Sequence, residues 1–178
     1  MRTEDLVRIL SVIPDAVLDL RYATENNFTG KRIYEFEDAL LRRGTLEKLK
    51  KAADRLRSMG YRIKVYDAFR PEKAQKTLWS VVNDPMFVAD PYNGGSNHTR
   101  GNAIDMTLTD MYGNELTMPS GFDDFSERAL RTYEACTEEQ KYNALIMEGV
   151  MTECGFIPNT NEWWHFDDEE NYDLYHET

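Results

Sequence analysis

The segment SNHTRGNAIDMTL, residues 96–108, joins a polar loop to the clearest strand pattern in the sequence. From residue 103 to residue 108, apolar side chains alternate with small or polar ones, which is the period-2 pattern of a strand with one buried face. Asp105 belongs to the opposite face, where a carboxylate must be solvated or paired. Six residues separate Asp105 from His98, and a passage from loop to strand of that length can bring both side chains to one point.

A second informative segment, EWWHF, covers residues 162–166. Its His165, together with His98 and Asp105, supplies two imidazoles and one carboxylate, a common ligand set for catalytic zinc with a fourth position left for water. We therefore predict one Zn2+ per chain, held by these three side chains. The same donors also accommodate iron, cobalt or nickel. Each histidine taken singly is more often structural, but the two motifs together favour a metal site.

Glu162 precedes His165 by three residues and is the candidate proton acceptor beside the metal. A water bound to zinc has a pKa of about 7 and still needs a group that takes its proton. In a regular strand, Glu162 and His165 would point to opposite faces, because side chains alternate. We therefore predict a strand over 163–166 and place Glu162 on an irregular turn just before it.

Two further candidate residues have alternatives that the sequence leaves open. Arg70 ends a predicted strand in the segment YDAFRP, residues 66–71, where its guanidinium could stabilise the oxyanion of an attacked carbonyl. An ordinary ion pair with one of the 32 acidic residues explains Arg70 equally well. Asp123 could bind a substrate ammonium, but a helix N-cap or a surface turn fits its local sequence as well. The acidic run 167–170 is expected to form a solvated face.

The periodicity of the remaining sequence predicts a single α+β domain over residues 1–178. One helix should start near Thr45, whose hydroxyl can cap it, and stop at Gly60. Further helices are predicted after Pro71 and after Thr137, which opens a capping box. Strands are predicted over 16–22, 61–65, 103–108 and 163–166, and loops over 23–34 and 83–97.

Composition limits the partners and the location that we expect. The 178 residues include 21 Lys and Arg against 32 Asp and Glu, a net charge of −11, so nucleic acid and anionic membranes are poor partners. The sequence contains no run of 18 or more apolar residues, so we predict no membrane span. The acidic N-terminal stretch does not resemble a secretory signal, and two cysteines without CxxC spacing favour a reducing cytoplasm. The oligomeric state cannot be read from the sequence.

At the residues quoted above, the chain resembles the VanX-type D-alanyl-D-alanine dipeptidases, within the zinc DD-peptidases of peptidase family M15. The first matching segment, residues 22–30, is more particular to the dipeptidase branch of that group. The segments around His98 and His165 are shared with carboxypeptidase relatives. The resemblance extends over most of the chain and is carried by residues 22–30, 67–71, 96–105 and 162–165.

The resemblance implies a central antiparallel sheet flanked by helices, a fold of the zinc DD-peptidase and hedgehog type. It also implies hydrolysis of a small dipeptide, D-Ala-D-Ala, to two D-alanines by attack of a zinc-activated water on the scissile carbonyl. Carried over residue by residue, it assigns the zinc ligands to His98, Asp105 and His165, the general base and acid to Glu162, oxyanion stabilisation to Arg70, and substrate binding to Ser96, Asp123 and Tyr22.

Two other functions remain open at this point. A D,D-carboxypeptidase or endopeptidase acting on peptidoglycan stem peptides would need a more open cleft. A non-catalytic zinc-binding module would have no use for Glu162. The segment between Arg70 and His98 looks shorter than in the best-known members of the family, which leaves strict selection of dipeptides open. Glycopeptide resistance and recovery of cell-wall dipeptide as a nutrient fit the sequence equally well.

Overall fold

Short strands and helices alternate along residues 5–176, the part of the chain that this computed structural model describes. Single turns of 3-10 helix lie at Ile9–Ser11, Arg21–Ala23 and Glu127–Ala129. The strands are β1 (Leu6–Arg8), β2 (Val17–Leu18), β3 (Leu40–Arg42), β4 (Tyr61–Asp67), β5 (Ala103–Asp110), β6 (Phe156–Pro158) and β7 (His165–Asp168). The α-helices are α1 (Arg43–Ser58), α2 (Glu72–Val81), α3 (Asn97–Arg100) and α4 (Glu138–Glu153).

The central sheet contains five strands in the order β2-β4-β5-β7-β6, while β1 pairs separately with β3. Neighbouring strands are antiparallel except β2 and β4, which run parallel at one edge. The predicted α+β fold with a central antiparallel sheet is thereby confirmed, apart from that edge pair. β5 is the middle strand, and all but the last of its residues are buried.

The long helices cover the sheet with their apolar faces. The stripe predicted for the first helix is its buried face, since Leu46, Leu49 and Leu56 are each exposed by 1% or less. α1 contacts both β4 and α4. The predicted capping box is present at the start of α4, where Thr137 and Gln140 bind each other's backbone N–H groups. Among the described residues, no helix is both long and apolar enough to cross a bilayer.

The strand predicted over residues 16–22 is much shorter than its alternating pattern indicated. Only Val17–Leu18 pairs with β4, and the chain then turns through the 3-10 helix Arg21–Ala23. This turn buries the Tyr22 side chain, which is 2% exposed. The local alternation is real, but the tertiary packing of Tyr22 overrides the strand preference.

Strand register places the candidate site at one end of β5. Asp105 pairs directly with His165 on β7 and, on its other side, with Asp67 on β4. A register shift between Val65 and Asp67 interrupts the β4 ladder where the site begins. Directly paired residues share a face and hold their Cβ atoms about 4.5–5.5 Å apart. The sheet itself therefore brings Asp105 and His165 together.

The one-turn helix α3 carries His98 to the start of β5. Ser96 caps this helix, because its Oγ accepts a hydrogen bond from the His98 N–H at 3.2 Å. Gly101 ends the helix with φ of +78°, a conformation that L side chains rarely adopt. A Cβ at residue 101 would also lie 2.8 Å from Cδ2 of Leu6. Glycine thus permits the tight turn from α3 into β5.

Asp168 ties α1 to β7 and corrects two predictions. Its fully buried carboxylate accepts from the Thr45 hydroxyl at 2.7 Å and from Nζ of Lys48 at 2.5 Å. The hydroxyl of Thr45 therefore does not cap the helix, which begins at Arg43, because a tertiary partner uses it. The expectation that residues 167–170 form a solvated face is wrong at Asp168, which is 3% exposed.

Replacing Lys48 tests this anchor. We expect Lys48→Met to lower the free energy of unfolding by about 2 kcal/mol, because Asp168 loses its cation inside the core. This value lies between those typical of exposed and of fully buried ion pairs. Lys50→Met is the matched control, since the Lys50–Asp54 pair is half exposed and should contribute less than about 1 kcal/mol. Urea unfolding of both variants measures the difference, and equal stabilities would contradict the anchor.

Candidate metal and catalytic site

The three predicted metal ligands meet in one buried group. Nε2 of His98 lies 3.2 Å from Oδ2 of Asp105, and Nδ1 of His165 lies 2.9 Å from Oδ1 of the same carboxylate. One ligand atom from each residue lies within 4.8 Å of the other two, and all three residues are buried. The two imidazoles therefore flank the carboxylate and point toward one position.

The outer nitrogen of each imidazole, the one directed away from Asp105, has its own hydrogen-bond partner. Nδ1 of His98 lies 2.7 Å from the carbonyl oxygen of Ala68, so this nitrogen must carry the proton and donate. Nε2 of His165 lies 2.9 Å from Oδ1 of Asp167 and donates to it. The remaining nitrogens, Nε2 of His98 and Nδ1 of His165, both face the Asp105 carboxylate and are the ones that would bind a metal. Such outer partners orient metal ligands and raise their basicity.

These donors fit a zinc ion. Zinc binds nitrogen and oxygen at about 2.0–2.2 Å, so a tetrahedral site holds its ligand atoms roughly 3.3–3.6 Å apart. Here one ligand atom from each residue lies within 4.8 Å of the other two, so small side-chain shifts would bring them to that spacing. Burial raises the pKa of the Asp105 carboxyl, but the neighbouring His98 and His165 outweigh it and lower this pKa well below its usual range. Asp105 is therefore ionised, and three protein ligands leave a fourth position open.

Glu162 lies on a turn before β7, as predicted. The strand runs from His165 to Asp168, so the strand predicted over 163–166 starts and ends two residues too early. The His165 N–H donates back to the Glu162 carbonyl at 3.2 Å. This turn brings Oε2 of Glu162 within 3.6 Å of Nδ1 of His165. Burial raises the pKa of the Glu162 carboxyl to about 7, with Asp105 adding to the effect and His165 opposing it.

Arg70 is buried and held by a network of hydrogen bonds. Asp67, which is fully buried, accepts from Nε and Nη2 of Arg70 at 3.0 and 2.7 Å, and Gln75 accepts from Nη1 at 2.8 Å. Burial lowers the pKa of Arg70, but Asp67 outweighs it and raises this pKa well above its usual value. Nη2 lies 3.9 Å from Oδ2 of Asp105, which places the guanidinium beside the metal ligands.

The three predicted substrate-binding residues all line one cavity of about 230 Å³ that includes the metal ligands. The Ser96 hydroxyl accepts from a backbone N–H and keeps its own proton for donation. Tyr22 donates to the carboxylate of Asp123, whose backbone has φ of +56°. Burial raises the pKa of Asp123 well above its usual value, although the Tyr22 hydrogen bond opposes it. A non-glycine residue at positive φ marks a constrained position.

Asp167 is a site residue that the sequence analysis missed. Burial raises the pKa of its carboxyl, but hydrogen bonds from His165 and Asn97 outweigh it and hold this pKa below its usual value. Asp167 also lines the cavity and is not part of a solvated face. A signal was present in the sequence, because residues two apart in a strand share a face. Asp167 therefore had to lie on the same side of β7 as His165.

Comparison with known proteins agrees with this geometry. A family model described as D-ala-D-ala dipeptidase, peptidase M15, matches residues 2–178. The chain is 39% identical over 165 residues to the D-alanyl-D-alanine dipeptidase of Escherichia coli (strain K12), covering 93% of this chain and 85% of that protein. It is 29% identical to the enzyme of the same name from Enterococcus faecium, over 83% of each chain, and 24% identical to that of Streptomyces coelicolor, over 92% and 91%.

Fold, donor set and family match together define a zinc-dependent metallopeptidase. This assignment removes the alternative of a non-catalytic zinc-binding module. The family is also specific about the size of the substrate. The chain belongs to the D-ala-D-ala dipeptidase family, peptidase M15, and hydrolyses a dipeptide.

The contact between Asp167 and His165 predicts a measurable effect on metal binding. We expect Asp167→Asn to weaken zinc affinity about 10- to 100-fold, because the amide no longer provides a charged acceptor for the outer nitrogen of His165. Competition with a chromophoric chelator measures this affinity without any substrate. Asp54→Asn, on the exposed face of α1, removes the same charge and should leave the affinity unchanged. Equal affinities of the two variants would contradict a role of Asp167 in the metal site.

Proposed function

We propose that this chain cleaves D-alanyl-D-alanine to two D-alanines, with Glu162 as the proton-transfer group and Arg70 as the group that stabilises the developing oxyanion. The observation that carries the proposal is the buried group of His98, Asp105 and His165 with the Glu162 carboxylate 3.6 Å from one ligand nitrogen. When bound there, zinc lowers the pKa of a water and polarises the scissile carbonyl.

Glu162 is suited to move a proton in both directions. Its carboxyl is buried and has a pKa of about 7, so it can accept a proton from the attacking water at neutral pH and return it to the leaving amine. The turn before β7 directs it to the metal side of His165 and away from the opposite face of the sheet. Its neighbours in the sequence, Trp163 and Trp164, are fully buried and fix that turn.

Arg70 provides a positive charge that does not need to reorganise during the reaction. Asp67 and Gln75 use three of the five guanidinium N–H groups, which leaves one on each terminal nitrogen. Hydrogen-bond donors that are held in place and aimed at a developing charge stabilise a transition state strongly. The surrounding burial, with Arg70 only 7% exposed, strengthens this interaction by excluding water.

The two ends of a free dipeptide match the charges of the cavity. The Ser96 hydroxyl can donate to the substrate carboxylate, while the Asp123 carboxylate, with Tyr22 beside it, can bind the substrate ammonium. The cavity of about 230 Å³ is smaller than the roughly 300–1,000 Å³ of pockets for drug-sized ligands. Recognition of both ends in a small space favours dipeptides over longer stem peptides.

A cytoplasmic location is part of this proposal. Cys136 and Cys154 are both free thiols in the structure, which is the usual state of cysteines in a reducing compartment. Recovery of the native protein from an extracellular or periplasmic fraction would contradict this location.

The role of Glu162 predicts that hydrolysis and metal binding can be separated. We expect Glu162→Gln to lower kcat for D-Ala-D-Ala by about 10²- to 10⁴-fold, because an amide cannot take the proton of water. Zinc content should stay at one ion per chain, since Glu162 is not one of the three ligands. Glu153→Gln, at an exposed glutamate that pairs with Arg55, is the matched control. A coupled oxidase assay measures the release of D-alanine. Wild-type turnover by the Glu162 variant would overturn the assignment.

The substrate itself is tested with a small panel of peptides. We expect release of D-alanine from D-Ala-D-Ala to exceed release from the N-acetylated dipeptide and from D-Ala-D-Ala-D-Ala by about 100-fold or more, because both analogues lack a correctly placed ammonium. Asp123→Asn should raise KM for the free dipeptide and reduce this preference. Faster cleavage of acetylated or longer peptides by the wild-type enzyme would instead indicate a carboxypeptidase.

A further inference from the structure

One wall of the catalytic cavity is a long segment without regular secondary structure. We define this wall loop as residues 82–95, between α2 and α3. Its residues 85–89 and Gly95 line the cavity that contains the metal ligands. Half of its residues are exposed to solvent, and Val88, at 4% exposure, is its one buried residue.

Val88 anchors the wall loop in the hydrophobic core, with Val82 and Phe87 packed against that core, and polar contacts hold the rest of the loop. Within the loop, Asp84 accepts from the backbone N–H groups of residues 86, 87 and 88. The Phe87 ring packs on Phe125 with centroids 4.8 Å apart. Two side chains outside the loop donate hydrogen bonds to its backbone: Arg100 to the carbonyl of Gly94 at 2.8 Å, and Gln75 to the carbonyl of Ala89 at 2.6 Å.

The Gln75 contact is unusual because its other end reaches the catalytic arginine. Gln75 lies in the first turns of α2 and is 1% exposed. Its Oε1 accepts from Nη1 of Arg70 at 2.8 Å while its Nε2 donates to the Ala89 carbonyl. A guanidinium only donates and a carbonyl only accepts, so the amide can satisfy both partners in this one orientation. A single buried side chain thus joins Arg70 to the wall loop.

We propose that Gln75 is a positioning residue that couples the seating of the wall loop to the orientation of Arg70. This inference rests on the proposed role of Arg70 in oxyanion stabilisation. Asp67 holds one edge of the guanidinium, and Gln75 holds Nη1 at the other edge. When the Ala89 carbonyl engages Nε2 of Gln75, the amide oxygen faces Arg70 and the loop closes the cavity. When this contact is absent, Nη1 loses a fixed acceptor and the cavity loses its outer wall.

Two changes in the reaction follow from this coupling. A less well oriented Arg70 lowers kcat, because displacement of a positioned group by about 1 Å reduces rates strongly. A looser wall loop admits longer peptides, so discrimination against a tripeptide decreases. A residue that only stabilised the fold would lower the melting temperature without changing the preference between two substrates.

Two substitutions at residue 75 separate the two ends of the amide. Gln75→Met keeps the length of the side chain and removes both hydrogen bonds. Gln75→Glu keeps an acceptor for Arg70 but cannot donate to the Ala89 carbonyl. Lys73→Met, on the exposed face of the same helix, is the matched control. For each protein, the measurements are zinc content, kcat and KM for D-Ala-D-Ala, turnover of the tripeptide, and hydrogen–deuterium exchange of the wall loop.

We expect Gln75→Met to bind zinc normally, to lose about 10-fold or more in kcat, and to cleave the tripeptide relatively faster. Amide exchange should increase in residues 82–95 and stay unchanged in β5 and β7. Gln75→Glu should show the same increase in loop exchange with a smaller loss of kcat, and it carries the test if the methionine variant does not fold. Either of two results would overturn the coupling. One is amide exchange in the wall loop of Gln75→Glu at the wild-type rate, and the other is an unchanged ratio of tripeptide to dipeptide turnover in the folded variants. The exchange measurement needs no substrate, so its outcome is distinct from a failure of the proposed dipeptidase activity.

Discussion

The direct pairing of Asp105 with His165 across the β5–β7 ladder is the constraint on which the site depends. Because β5 is the middle strand of the sheet, the Asp105 carboxylate is removed from water and requires positive partners. The sheet supplies His165 through its register, and α3 supplies His98 from the other side. Two of the three predicted metal ligands are thus held by backbone pairing, which is more rigid than a loop and suits a site that must keep its geometry.

The cavity concentrates negative charge. Four acidic side chains line it: Asp105, Asp123, Glu162 and Asp167. Arg70 also lines the cavity and carries a positive charge at every relevant pH. Burial is the main cause of the raised pKa of Glu162, and the negative charge of Asp105 adds to it. A bound divalent cation would offset this negative charge.

Some roles follow from local sequence patterns, whereas others depend on partners far along the chain. The metal donors and the turn at Glu162 follow from local spacing and strand alternation, so they could be predicted. Thr45 was expected to act as a helix cap because local sequence contains no trace of Asp168, which lies 123 residues away. Asp167 was taken for surface because an acidic run is usually solvated, although its position two residues after His165 contained the necessary information.

The amino-acid sequence alone determined the α+β class, the donor types of the metal site, and the placement of a carboxylate on a turn before a histidine. These follow from periodicity and from the chemistry of side chains, both of which are local properties. Only the tertiary structure decided that Asp67 and Gln75 hold Arg70, that Asp167 orients His165, and that one amide reaches the wall loop. Hydrogen bonds of that kind depend on strand register and helix placement, and neither is encoded in the spacing of any single segment.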